Sequence, residues 1–211
     1  MLVLLLATSV GIGVGSQTLP VRKIDGHKLT SSAQPKVTLR FDNDFTYAGS
    51  QSFVLYNVAN AEQHFFVDAD KNKRIQRLYW VQFEGYLPNN THTYRYEPNK
   101  VVQIGHLSFI VDSFARNVKN DAGRPGSDGA RARDFLRSKG FTLGDEIMFQ
   151  RLVHLTDQTK RNELMIIYLE DLSLTGMTAA ELSPGGAKAA NWPEVSNMLL
   201  QRAINGLKVS N

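Results

Sequence analysis

The chain of 211 residues contains no cysteine, and this absence excludes several kinds of chemistry. Without thiols there are no disulfide bridges, no thiolate ligands for metals and no cysteine nucleophile. The body of the chain also lacks a Gly-x-Ser-x-Gly motif, a Ser-x-x-Lys motif and a phosphate-binding glycine loop. The sequence therefore predicts a fold that is stabilised by its own core, without a bound cofactor.

Residues 1–16 lack charged side chains, and the first charged residues are Arg22 and Lys23. This apolar stretch is too short to span a bilayer but long enough for the core of a signal peptide, with cleavage before Gln17. No basic residue precedes it, so a buried first strand or helix is the alternative. The sequence predicts an export segment over residues 1–16, a secreted or periplasmic location and no transmembrane span. Arg22 and Lys23 are then expected on the surface of the mature protein.

The rest of the chain has the composition of one globular domain. Its hydrophobic fraction of 42% and charged fraction of 21% exclude a largely disordered protein. Two hundred residues are enough to bury a substantial core. We therefore expect residues 17–211 to form a single domain.

Strand signals dominate the first half of this domain. Between residues 36 and 112, apolar and polar side chains alternate, and short turn sequences favour antiparallel neighbours over crossover helices. The second half adds further strands, a short helix at about 130–139 and a C-terminal helix at about 192–207. The sequence predicts an α+β fold, with a curved antiparallel sheet of seven to nine strands or a partial β-barrel meander. The C-terminal helix is expected to pack on that sheet.

Three local expectations concern backbone structure. Residues 17–36 are expected to be loosely structured, because prolines and small polar residues are frequent there. Residues 91–97 are expected to form a strand. Residues 101–111 are expected to form one long strand that is interrupted by a bulge or bend at Gly105.

Both predicted helices carry start signals. Asp128 precedes the first helix and Asn191 the second, and these residue types accept hydrogen bonds from the free N–H groups of a helix start. The second helix has an apolar stripe that is expected to pack on the sheet. The stripe comprises Trp192, Val195, Met198, Leu199 and Ala203.

The clearest strand, over residues 77–87, has two faces of different character. One face is apolar and is expected to point to the core, because side chains alternate along a strand. The other face mixes aromatic rings with polar groups. It carries Trp80, Gln82, Glu84 and Tyr86.

This second face is a candidate ligand site. Aromatic rings beside a carboxylate are typical of small-ligand pockets, and desolvation there raises the pKa of Glu84. The alternative is an ordinary exposed sheet face, because tryptophan and tyrosine are good strand formers. The neighbours expected to share the site are Tyr94, Tyr96, His64 and His106.

Three functional hypotheses follow. The first is an exported protein that binds a small, partly apolar molecule in the concavity of the sheet. Trp80, Tyr86 and Tyr94 would provide contact area, and Glu84 or a histidine would orient the ligand. The second is an exported enzyme, a hydrolase, lyase or isomerase, in which Glu84 or His106 performs metal-free acid–base chemistry. The third is a protein that binds a polyanion or a membrane surface.

The third hypothesis depends on residues 115–139, where seven basic residues stand against three acidic ones. Arg131, Arg133 and Arg137 are the candidate anion-binding residues. The alternative is a solvated helix surface. The segment lacks the interleaved aromatic residues of nucleic-acid platforms, which argues against nucleic acid as the partner.

The five histidines do not stand in a recognised metal-binding spacing. A fold could still bring several of them together, but strand histidines are more often hydrogen-bonded polar residues than ligands. The sequence therefore predicts no metal site.

Overall fold

A computed structural model describes residues 21–97, 100–119 and 123–211. These residues form an α+β fold with two antiparallel sheets and three α-helices, and neither sheet closes on itself within them. The predicted fold class is confirmed. The predicted export segment, residues 1–16, lies outside the described residues.

The larger sheet has seven strands in the order β4-β5-β6-β10-β9-β8-β7, and the smaller has four in the order β1-β2-β3-β11. The strands are β1 (Arg22–Asp25), β2 (Lys28–Ser31), β3 (Val37–Phe41), β4 (Thr46–Leu55), β5 (Ala59–Ala69), β6 (Ile75–Tyr86), β7 (Val101–Ile104), β8 (Leu107–Asn117), β9 (Glu146–Leu155), β10 (Asn162–Asp171) and β11 (Leu207–Ser210). The helices are α1 (Asp128–Ser138), α2 (Ala179–Leu182) and α3 (Trp192–Asn205), and short 3-10 helices span Leu172–Thr175 and Ala189–Asn191.

Both faces of the seven-stranded sheet are covered. On one face, which we call the α1 face, Phe135 of α1 stacks on Phe65 of β5 with 5.1 Å between ring centroids. On the other, the α3 face, the four-stranded sheet and α3 pack together. Phe41 of β3 lies 4.1 Å from Phe66 of β5, between ring centroids. The molecule therefore has three layers.

The alternation predicted along residues 77–87 is confirmed. Tyr79 and Val81 belong to the core on the α3 face, whereas Trp80 belongs to the core on the α1 face. The phenol of Tyr79 donates a hydrogen bond of 2.8 Å to the carbonyl of Ala203, which joins β6 to α3. Strand β10 lies at the centre of the sheet and is buried on both faces, as its apolar sequence indicates.

Strand β4 forms one edge of the seven-stranded sheet. Its sequence, TYAGSQSFVL, contains neither a charged residue nor a proline. Its pairing with β5 shifts register between Tyr47 and Gly49, and Gly49 has a φ of +129°. The edge strand is therefore interrupted by a bulge, at a position where only glycine adopts the required backbone angle freely.

Two expectations about the strands near Gly105 and at the N-terminal end were wrong. Residues 101–111 contain two strands, β7 and β8, because the chain reverses at Gly105 and His106 with a φ of +59° at Gly105. The described part of residues 17–36 is not loose, since it contains β1 and β2. β1 pairs with β2 across a tight turn and β2 pairs with β3, so strands that are neighbours along the chain stabilise these short segments.

Residues 91–97 are not part of a strand, although Tyr94 N–H donates a hydrogen bond of 2.8 Å to the carbonyl of Lys160. The larger sheet, with seven strands, lies within the predicted range of seven to nine, but the second sheet of four strands was not predicted. The described residues contain eleven strands in two sheets, and β11 begins at Leu207, the last residue that was assigned to the C-terminal helix.

The helix starts also differ from the sequence prediction. Ser127, rather than Asp128, caps α1, because its hydroxyl accepts a hydrogen bond from Ala130 N–H at 3.2 Å. Asn191 precedes α3 without a capping hydrogen bond from its side chain. Met198 is 44% exposed, and Leu200 is buried in the stripe in its place. No helix among the described residues has the length and apolar character that crossing a bilayer requires.

Candidate functional site

An open cleft of about 710 Å³ lies at the common end of strands β4, β5 and β6. Its wall includes side chains from both faces of the seven-stranded sheet, because the cleft wraps around the strand ends. We call it the strand-end cleft. The charged and aromatic residues that line it include Arg22, Phe53, Glu62, Phe83, Glu84 and Tyr86.

A second open cleft, of about 600 Å³, lies between β8 and the first turns of α3. It contains none of the residues that the sequence predicted for a site. The strand-end cleft, in contrast, contains Glu84 and Tyr86. Of the two clefts, the strand-end cleft is therefore the candidate functional site.

Two carboxyl groups lie side by side behind this cleft. Glu84 of β6 stands directly opposite Glu163 of β10 in the antiparallel register, so both side chains lie on the α1 face. Directly opposite residues have Cβ atoms about 4.5–5.5 Å apart. Glu163 is 4% exposed, whereas Glu84 is only partly buried and reaches the cleft. We call these two residues the carboxyl pair.

The segment of residues 92–97 places one tyrosine on each carboxyl group. Tyr94 Oη donates a hydrogen bond of 2.7 Å to Glu84, and Tyr96 Oη donates one of 2.6 Å to Glu163. Residues two apart on an extended chain point the same way, so their spacing matches the two carboxyl groups of neighbouring strands. Tyr94 also stacks on Tyr86 with 4.5 Å between ring centroids.

A chain of glutamine amides approaches Glu84 from the sheet edge. Gln51 donates to Gln63 at 2.7 Å, Gln63 to Gln82 at 2.8 Å, and Gln82 to Glu84 at 2.6 Å. Gln63 and Gln82 are fully buried, and each link polarises the next in the same direction. The carboxyl group of Glu84 is therefore held in one orientation by Gln82 and Tyr94.

Burial raises the pKa of both carboxyl groups. For Glu163, desolvation and the neighbouring charges of Glu84 and Asp128 raise the pKa to about 8, against the lowering effects of Tyr96 and Arg151. For Glu84, desolvation is again the largest cause and raises the pKa, opposed by the hydrogen bonds from its two donors. The carboxyl pair thus holds a proton at neutral pH, so it can donate or accept one.

The structure brings four of the predicted site residues together: Glu84, Tyr86, Tyr94 and Tyr96. Trp80 lies on the same face, but it is 8% exposed, packs 6.1 Å from Phe65 between ring centroids and does not line the strand-end cleft. Its indole Nε1 has no hydrogen-bond partner among the described residues.

The two histidines do not join this group. His64 stands opposite Val81 in the register and therefore lies on the α3 face, where its Nδ1 is 3.1 Å from Tyr47 Oη and its Nε2 is 2.8 Å from Glu62. The expectation that His64 shares the face of Glu84 is wrong. His106 is exposed in the turn between β7 and β8, at the far edge of the sheet.

The three arginines of α1 differ in their surroundings. The guanidinium of Arg131 lies 4.5 Å from the ring centroid of Phe53, and that of Arg137 is 3.5 Å from Asp134. Arg133 lies beside Gly123. All three candidate anion-binding residues therefore already interact with neighbours in the chain.

Among the described residues, no group of three or more histidine, aspartate or glutamate side chains is placed to hold a metal ion. The chain matches no known protein-family model, and neither curated proteins nor solved structures include a significant match. A function for this protein can therefore be proposed only from the geometry of the site.

Several residues of the site, Glu163 and Arg22 among them, were not predicted as site residues. Glu163 was assigned only to the start of a strand, because its position opposite Glu84 depends on strand register. Arg22 was expected on the surface, but its side chain is 9% exposed and lines the strand-end cleft. The one available signal was its charge, which alone does not indicate burial.

Proposed function

We propose that this protein binds a small, partly apolar molecule in the strand-end cleft. The observation that carries the proposal is the position of Glu84, a desolvated carboxyl group with fixed orientation, in the wall of an open cleft. The rings of Phe53 and Tyr86 line the same cleft and offer apolar contact area. Its volume of about 710 Å³ lies within the range of about 300–1,000 Å³ that is usual for small-molecule sites.

We also propose that the protein acts outside the cytoplasm. This part of the proposal is supported by the sequence, since residues 1–16 carry no charge and the chain has no cysteine. A ligand of an exported protein reaches such an open cleft directly from the surrounding medium.

Removal of the Tyr86 ring tests the binding proposal. We expect benzamide, a small aromatic probe, to shift amide resonances of the cleft residues in the wild-type protein, and Tyr86→Ala to weaken its binding by about tenfold through lost contact area. Phe114→Ala is the matched control, because Phe114 is also a partly exposed ring on this sheet but lies outside the cleft. Shifts located elsewhere, or unchanged affinity in Tyr86→Ala, would refute the proposal.

The carboxyl pair supports a second candidate function, acid–base catalysis of hydrolysis, elimination or isomerisation. Glu84 reaches the cleft, and Glu163 behind it shares the burial that raises the pKa of both groups. The ionised carboxyl group can accept a proton from a bound substrate, and the proton that the pair already holds can be donated back to the substrate.

A panel of p-nitrophenyl esters and glycosides tests this candidate. We expect turnover by the wild-type protein and a loss of about 10² to 10⁴ in rate in Glu84→Gln, the usual contribution of a general acid or base. Glu97→Gln, at an exposed position in the adjacent segment, serves as the control and is expected to retain the rate. Equal rates in Glu84→Gln and the wild type would exclude Glu84 as the proton-transfer group.

A further inference from the structure

Arg22 is a basic residue of the strand-end cleft that the proposed function leaves unused. Its side chain is 9% exposed, and its guanidinium carbon lies 3.8 Å from the ring centroid of Phe83. Nη1 and Nη2 donate to the carbonyls of Val21 and Gln34, both at the limiting distance of 3.5 Å. Nε is buried and has no hydrogen-bond partner among the described residues.

A buried guanidinium with so few acceptors is unusual. The group is charged, has five N–H donors, and is costly to remove from water unless those donors find acceptors. Desolvation lowers the pKa of Arg22, and the charge of Glu62 opposes this effect. Nε–H of Arg22 therefore lacks an acceptor among the described residues, and Nη1 and Nη2 reach their acceptors only at the limiting distance.

The neighbouring carboxylate, that of Glu62, does not accept a hydrogen bond from Arg22. Glu62 Oε2 is 3.9 Å from Arg22 Nε, which is beyond hydrogen-bond distance. The other oxygen of Glu62 is held at 2.8 Å by Nε2 of His64. Glu62 thus balances the charge of Arg22 from a distance and leaves its donors to an external acceptor.

We propose that Arg22 binds the carboxylate of a small organic acid whose apolar body lies against the aromatic rings of the cleft. This inference rests on the proposed function, because it assigns a chemical class to the ligand of the same cleft. A planar carboxylate matches the donor fork of a guanidinium with two parallel hydrogen bonds. A phosphate dianion fits less well, since the negative charge of Glu62 repels a second charge more strongly.

Benzoate and benzamide have nearly the same shape, so a comparison of their affinities separates the contribution of the carboxylate from that of apolar contact. We expect benzoate to bind the wild-type protein at least about tenfold more tightly than benzamide, because a hydrogen bond between charged groups is roughly twice as strong as one between neutral groups. Arg22→Gln is expected to remove this preference, so that benzoate and benzamide bind with similar affinity. Glu62→Gln is expected to tighten benzoate binding by several-fold, because it removes the competing negative charge. Binding is measured by titration of amide resonances.

The outcomes distinguish the two proposals. If benzoate and benzamide bind equally and both are weakened in Tyr86→Ala, the cleft binds ligands and the inference about Arg22 is wrong. If neither probe binds the cleft, the proposed function is wrong, and the inference falls with it. The Glu62→Gln variant keeps the test informative even if Arg22→Gln fails to fold, since unchanged or weaker benzoate binding in Glu62→Gln would also refute the inference.

Discussion

Replacing Glu163 with glutamine is expected to flatten the dependence of folding stability on pH. In the wild-type protein, we expect the free energy of unfolding to fall by about 4–5 kcal/mol as the pH rises from 4.5 to 8, through this one group. In Glu163→Gln this part of the decrease is expected to disappear. The variant should therefore gain stability relative to the wild type as the pH rises through this window.

The direction follows from the pKa of Glu163 in the two states. In the folded protein its pKa is raised to about 8, from an ordinary value of 4.5 that applies to the unfolded chain. Between these two values the folded state binds one more proton than the unfolded state, so stability decreases with rising pH. Below pH 4.5 the group is protonated in both states and contributes no slope. Glutamine mimics the protonated form and still accepts the hydrogen bond from Tyr96.

Urea unfolding at several pH values between 4.5 and 8.5, followed by tryptophan fluorescence, measures this effect. Glu97→Gln is the matched control, because Glu97 is an exposed glutamate in the segment that also carries Tyr96. The control is expected to follow the wild type. Parallel curves for the wild type and Glu163→Gln would show that Glu163 is not desolvated in the folded state.

Replacing Gly105 with alanine is expected to destabilise the protein by about 3 kcal/mol. Gly105 forms the turn between β7 and β8 with a φ of +59°, and an added Cβ would lie 2.1 Å from the backbone oxygen of Val209 in β11. Backbone atoms cannot move aside as the tip of a flexible side chain can. The substitution therefore forces the hairpin of β7 and β8 away from the four-stranded sheet.

Gly26→Ala separates the two causes of this loss. Gly26 has nearly the same φ, +57°, but no described atom lies within 4 Å of the added Cβ. We expect this variant to lose only about 1 kcal/mol, the usual cost of a left-handed backbone for alanine. Equal losses of unfolding free energy in urea for the two variants would contradict the close approach of Gly105 to β11.

Features of a single strand or helix could be predicted from the sequence. The two faces of β6 follow from alternation along the strand, and the burial of β10 follows from its continuous apolar sequence. The strands that were missed, such as β1 and β11, have four residues each. Such short segments form strands only because a partner strand is present, which local sequence does not reveal.

Only part of the candidate site could be predicted, because the rest depends on how strands pair. Glu84, Tyr86 and Tyr94 were grouped correctly, because Glu84 and Tyr86 share one strand face and Tyr94 follows closely in the chain. The position of Glu163 depends on the register between β6 and β10, and the exclusion of His64 depends on the register between β5 and β6. Register arises from packing across the whole sheet.

The bulge in β4 has a consequence for how the molecule behaves among its own copies. An uncharged edge strand without proline exposes unpaired backbone groups, on which a strand of another chain can extend the sheet. The shift between Tyr47 and Gly49 breaks the regular spacing of those groups, and the ring of Phe135 from α1 closes over Gly49. The bulge thus shortens the stretch of regular edge backbone with which another chain could pair. It protects this edge against aggregation, as charged residues commonly do at other sheet edges.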